Sequence, residues 1–88
     1  MKKIVEVTEV EGEGLDALLG QEVLLFCLNY IYLGKLAGVN ETCVLLENPS
    51  IVYETGAFVS KEYEDVQKLH TDKWYVQRSA IESFGAAK

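Results

Sequence analysis

The feature that most constrains this chain is a run of strand-forming residues between Gly20 and Glu47. Within it, the six residues Val23–Leu28 are all apolar and contain no helix breaker, a length that suits a β-strand better than a helix. Successive side chains of a strand point to opposite faces, so this strand is apolar on both. A sheet usually buries one face and leaves the other in water. The strand must therefore be covered twice, by the core of its domain and by something else.

The residues that follow predict an antiparallel meander. Asn29 interrupts the apolar run and tolerates a positive φ, which favours a tight turn there. Tyr30–Ala37 is the expected return strand, and Gly34 within it predicts a bend or a bulge. After a turn at residues 38–41, Thr42–Glu47 is β-branched and aliphatic, as is typical of a third strand. A meander with a bend in its second strand begins a small barrel.

The flanks of the meander predict further elements of one domain spanning residues 1–88. Lys3–Val10 alternates imperfectly and indicates an additional N-terminal strand. Leu15–Leu19 can form a short helix ending near Gly20. Proline cannot donate a main-chain hydrogen bond, so the third strand must be broken, bulged or at an edge at Pro49, before Ile51–Glu54 continues it.

The C-terminal part predicts a variable insertion at residues 56–72 and then two strands. Apolar residues spaced by three indicate a short amphipathic helix at Ser60–Leu69, and an extended hairpin loop is the alternative. Trp74–Arg78 and Ala80–Phe84 are the expected last strands. The predicted fold class is therefore all-β.

Composition limits the possible partners. The 88 residues form one domain by length, and 49% of them are hydrophobic, a surplus that a subunit interface could cover. The net charge of −6 argues against general binding to DNA, RNA or anionic membranes, which draws on clustered Lys and Arg. With neither a signal-peptide pattern nor an apolar run of about 20 residues, we expect a cytoplasmic protein.

Candidate catalytic and metal-binding residues are isolated. His70, the only histidine, lies in a polar loop and has no obvious partner for acid–base chemistry. The acidic runs at residues 9–16 and 62–65 match no calcium loop and indicate solvated faces. Cys27 and Cys43 are expected to be reduced core thiols, unless adjacent strands bring them together as a disulfide. We expect no catalytic residues, no metal, no cofactor and no enzymatic activity.

The central glycines carry a resemblance to a known family. The pattern Gly20-x-x-Val23, a hairpin, then Gly34-x-Leu36-x-Gly38 and an aliphatic strand resembles the first motif of the Sm/LSm fold, which includes the bacterial Hfq proteins. The resemblance implies a small Sm-like (SH3-type) barrel of five bent antiparallel strands with a short N-terminal helix. An N-terminal strand would be an addition to that family's fold.

The resemblance is uneven along the chain. It is closer over residues 14–54 and looser over residues 73–84, where Arg78 is present but the glycine of the family's second motif is replaced by Ser79. Other small bent-strand barrels, such as SH3-like domains, share part of the pattern.

The resemblance also implies a candidate RNA-binding site in two loops. In Sm proteins the turn after the motif glycine carries an acidic residue, an aromatic or His that stacks on a base, and an Asn that reads the base edge. Here Asn40 replaces the acid, Thr42 replaces the stacking ring, and Cys43 or Val44 replaces the reading Asn. From the second loop only Arg78 matches, and a surface or interface salt bridge is its alternative role.

Sm proteins form rings by pairing the fourth strand of one subunit with the fifth of the next. The resemblance therefore implies a homo-oligomeric ring of roughly five to seven subunits. The expected interface residues are Trp74, Val76, Ile81 and Phe84. We expect a binding or scaffold module with at most weak affinity for single-stranded RNA. The alternative is an Hfq-type RNA chaperone that binds uridine-rich single-stranded RNA.

Overall fold

The computed structural model describes residues 14–88, and the predicted strand at Lys3–Val10 lies outside them. The described part is an antiparallel β structure with two short 3₁₀ helices, so the all-β class is confirmed. The strands are β1 (Glu22–Cys27), β2 (Ile31–Val39), β3 (Cys43–Glu54), β4 (Asp65–Lys68), β5 (Lys73–Gln77) and β6 (Ile81–Ala86), with 3₁₀ helices at Gly14–Leu18 and Arg78–Ala80.

Strand β3 is the longest, with 12 residues, and it organises the sheet. The strand order is β4-β3-β2-β1-β6, and β5 also pairs with β3. One edge of β3 follows β2, whereas the other edge is shared, residues 43–47 pairing with β5 and residues 50–54 with β4. No ladder joins β5 to β6 within residues 14–88, so this six-stranded sheet is open.

The bends in β2 and β3 lie where the sequence predicts them. The β2–β3 register shifts at two places in β2, between Leu33 and Lys35 and between Leu36 and Gly38. A Cβ atom on Gly34 would lie 3.1 Å from the carbonyl oxygen of Glu47 and 3.2 Å from the Cβ of Leu46, so a larger residue would force its neighbours in β3 to move by a few tenths of an ångström. In β3, Asn48 adopts a positive φ of 49° immediately before Pro49. At this point β3 changes its partner from β5 to β4.

The core lies against one face of β1. Val23 and Leu25 are fully buried there, and they pack with side chains from β2, β3 and β5. Leu15, from the first 3₁₀ helix, joins the same cluster. Complete burial of a side chain of this size stabilises the fold by about 1.5–3 kcal/mol. The buried core side chains are Leu15, Val23, Leu25, Leu36, Val44, Leu46 and Val76.

The second face of β1 is partly covered by the chain itself. Leu24 is only 6% exposed, although it points away from the core cluster. The ring of Phe58, in the loop between β3 and β4, lies 6.3 Å from the ring of Phe26. The ammonium group of Lys88 donates hydrogen bonds of 2.8 Å to two carbonyl oxygens of that loop. The loop and the C-terminal residues thus provide some of the second cover that the sequence requires.

The predicted helix at Ser60–Leu69 is wrong, and the alternative hairpin is correct. Residues 65–68 form β4, in which Val66 lies opposite Val52 of β3. All four residues of β4 are exposed, so this segment adds little apolar burial to the fold. Short helices without such burial are marginal in water, whereas the free half of β3 offers main-chain hydrogen bonds.

Candidate binding surface at the Asn40–Arg78 corner

The structure brings Asn40, Thr42 and Arg78 together at one corner. Asn40 begins the turn between β2 and β3, and its side-chain oxygen accepts hydrogen bonds from the main-chain N–H groups of Thr42 and Cys43, both at 2.8 Å. The same oxygen accepts a bond of 3.2 Å from the hydroxyl group of Thr42. Asn40 therefore uses its acceptor atom to shape its own turn.

Arg78 links the end of β5 to this turn through hydrogen bonds. Cys43 pairs with Gln77 in the β3–β5 ladder, which places the start of the second 3₁₀ helix beside residues 40–42. The main-chain N–H of Arg78 donates to the carbonyl oxygen of Thr42 at 2.9 Å. Its guanidinium Nη1 donates to the carbonyl oxygen of Asn40, also at 2.9 Å. The charged group thus supports the corner as well as contributing a positive charge to it.

An open cavity of about 650 Å³ lies at this corner. Its polar and charged groups include a carboxylate from Glu41 and the guanidinium of Arg78, which carry opposite charges. Such a surface can offer hydrogen bonds and a single cation, but the two charges offset each other. The lining residues are Glu41, Thr42, Cys43, Tyr75, Gln77, Arg78 and Ser79.

Tyr75 is a feature of this surface that the sequence reasoning missed. It lies on the outer side of β5, with 65% of its surface exposed, because the alternate residues Trp74 and Val76 face the core. It lines both the corner cavity and a neighbouring cavity of about 300 Å³ that Tyr30 and Tyr32 also line. The sequence did contain a signal for this position. Side chains alternate between the two faces of a strand, so Tyr75 must point away from the core if Trp74 and Val76 point toward it.

Most of the residues expected at a subunit interface pack against the core of their own chain. Val76 is 5% exposed and belongs to the core, and Trp74 and Ile81 pack against that core while half buried. Phe84 is different, with 42% of its surface exposed. On the last two strands, Phe84 and Tyr75 are therefore the large apolar side chains with the most surface available to a partner.

The other candidate groups that the sequence offered are His70, Cys27 and Cys43. Residues 14–88 hold no group of three or more His, Cys, Asp or Glu side chains placed to bind a metal ion. The ring of His70 lies 6.2 Å from that of Trp74, edge to face, which is a packing contact. Cys27 and Cys43 are free, and both are half buried rather than buried as expected. Partial burial raises the pKa of the Cys27 thiol, which disfavours the reactive thiolate.

Comparisons with protein-family models, with curated proteins and with solved structures find no match to this chain. Neither 3₁₀ segment in the described part of the chain has the length and hydrophobicity of a membrane-spanning helix.

Proposed function

We propose that this chain is an Sm-like, ring-forming binding or scaffold module, in which β5 of one copy pairs with β6 of the next. The observation that carries the proposal is that each of these two strands has a single partner strand in the described part of the chain. Within residues 14–88, β5 pairs only with β3 and β6 pairs only with β1. Each strand therefore has a second edge, and an exposed edge invites pairing with another chain.

The order of the strands supports the barrel part of the proposal. The last strand returns to β1, the long β3 bends between two partners, and a three-residue 3₁₀ helix joins β5 to β6. This succession is what a small bent barrel of the Sm or SH3 type requires. Pairing of two different edges is head-to-tail, and such contacts form a closed ring when the rotation between copies closes.

Mass in solution tests the assembly. Light scattering and native mass spectrometry of the full chain at micromolar concentration should give roughly five to seven times the subunit mass of 9.8 kDa. A stable monomer under these conditions would contradict the proposal. An isologous dimer would also contradict it, because two identical edges that pair with each other do not join β5 to β6.

For RNA we propose weak binding at the Asn40–Arg78 corner. The assembled cluster and its guanidinium group favour contact with a phosphate. Thr42 provides no stacking ring, and base stacking on an aromatic ring supplies about 1–3 kcal/mol per base. The subunit charge of −6 adds a repulsive field in every copy.

A labelled uridine-rich oligomer, titrated at physiological salt, tests the RNA proposal. Binding should be weak for the wild type and weaker for Arg78→Ala. The control Lys61→Ala removes the same charge from an exposed position in the β3–β4 loop, and it should bind like the wild type. Nanomolar wild-type binding would favour the Hfq-type chaperone instead. Measurable binding that is unchanged by Arg78→Ala would place the site elsewhere.

A further inference from the structure

A groove of about 280 Å³ runs along β6 on the second face of β1, and its lining combines large apolar side chains with the polar residues Ser83 and Lys88. Its floor includes Leu24 and Phe26, and their partners in the β1–β6 ladder are Gly85 and Ser83. These partners are small, so β6 leaves space beside the larger side chains. A Cβ atom on Gly85 would meet no atom within 4 Å. Phe58 also lines this groove. Phe84 borders it as well, but it pairs with the core residue Leu25 and therefore starts from the core face of β6.

A side chain that this groove could accept lies on β5, the other strand of the proposed pair. Tyr75 projects from the outer side of β5, opposite in direction to the core residue Val76. Leu24 and Phe26 are likewise on the side of β1 that points away from the core residues Val23 and Leu25. A strand that joins a sheet with its core side aligned continues both faces of that sheet. Pairing β5 of one copy with β6 of the next therefore puts Tyr75 on the same face as the groove.

Charge favours this pairing over pairing of like strands. Strand β5 carries Lys73 and no acidic residue, whereas β6 carries Glu82 and no basic residue. Pairing β5 with β6 joins a strand that carries a positive charge to one that carries a negative charge, whereas pairing two copies of the same strand would join strands of the same charge. The groove beside β6 thus fits a second copy of this chain.

We propose that Tyr75 of one copy inserts into the groove formed by Leu24, Phe26 and Phe58 of the next copy. This inference rests on the proposed ring and deepens it, because it names the side chain that holds neighbouring copies together. Aromatic side chains that fill a pocket at the centre of an interface commonly dominate its affinity.

Two substitutions test the contact from opposite sides. Tyr75→Ala removes the inserted ring, and Gly85→Leu fills the groove without meeting an atom near its Cβ in the isolated subunit. Each should weaken the subunit contact by about 30-fold or more, while circular dichroism shows a folded protein. Tyr53→Ala is the matched control, because Tyr53 is 55% exposed and lies on β3, and it should keep the wild-type mass.

Mixing the two variants gives the most specific result. Gly85→Leu still carries Tyr75, and Tyr75→Ala still has an open groove, so one sound contact can form between them. The two edges left over in such a pair carry Tyr75→Ala on β5 and Gly85→Leu on β6, so no further copy should add to it. Native mass spectrometry should therefore show a heterodimer in the mixture and a monomer for each variant alone.

Several outcomes would overturn the inference in distinguishable ways. If the wild type and both variants form the same stable ring, the ring stands and the insertion of Tyr75 is refuted. The same holds if only one variant weakens the ring, or if mixing yields no heterodimer. A Gly85→Leu variant that loses thermal stability while the ring persists would place another part of the same chain in the groove. A wild-type monomer would refute the proposed function and this inference together.

Discussion

Replacing Asn40 by alanine tests whether this side chain shapes its turn or is available for a ligand. The substitution removes the oxygen that accepts bonds from two main-chain N–H groups and one hydroxyl group. A hydrogen bond of this kind contributes about 0.5–1.5 kcal/mol net. The donors are exposed and can bind water after the change, so each bond should contribute near the lower end of this range. We therefore expect a total loss of about 1–2 kcal/mol in the free energy of unfolding.

Urea denaturation at a fixed protein concentration measures this loss. In a domain of this size each kcal/mol also lowers Tm by about 4–8 °C. Asn40→Asp is the matched control, because aspartate keeps an acceptor oxygen in the same position, and it should remain within about 0.5 kcal/mol of the wild type. Equal stability of Asn40→Ala and the wild type, or equal losses in both variants, would refute the reasoning.

Three further predictions concern the bend, the second face and alkaline pH. Gly34→Ala should destabilise the fold by about 1–3 kcal/mol in urea denaturation through overpacking against β3. Gly38→Ala should cost less, since its new Cβ would meet Leu45 at an ordinary 3.7 Å. Lys88→Met removes two hydrogen bonds to the β3–β4 loop, and amide exchange there should accelerate about 5–10-fold while β2 is unaffected. Burial raises the pKa of Tyr32 above its ordinary value of 10.0, so its contribution to stability is complete below pH 10.0 and falls as pH rises through the folded pKa. Denaturation at about pH 9 and about pH 11 should show this decrease.

The sequence contains the signals for the central meander because they are local. A strand apolar on both faces, a glycine at a close approach and a proline at a change of partner each depend on steric or burial rules that act on a few residues. The structure places β1, the bend at Gly34 and the bulge at Pro49 accordingly. These features therefore follow from the order of residues without knowledge of the rest of the fold.

The errors arise where distant segments decide the outcome. The spacing of apolar residues in 60–69 suits a helix, but the free half of β3 forms a strand pair with residues 65–68. The second cover of β1 comes from Phe58 and Lys88, which lie far from β1 in sequence. The candidate residues Asn40, Thr42 and Arg78 do come together, but the sequence could not show that their polar groups bond to one another. Tertiary context determines each of these results.

The bonds of Arg78 connect the candidate RNA site to the proposed assembly. Its main-chain N–H and its guanidinium both bond to the β2–β3 turn, at the point where β5 ends and the 3₁₀ helix leads into β6. The direction of β6 relative to β5 depends on this corner, and in a head-to-tail assembly the angle between the two edges determines whether a ring closes and with how many copies. In the proposed ring, Arg78→Ala would therefore lower the proposed RNA binding by changing the assembly, since a ring would repeat each weak site and gain avidity. The RNA titration identifies a pocket residue only if the variant keeps the wild-type mass, and a loss of binding that accompanies a change in mass assigns Arg78 to the geometry of the assembly.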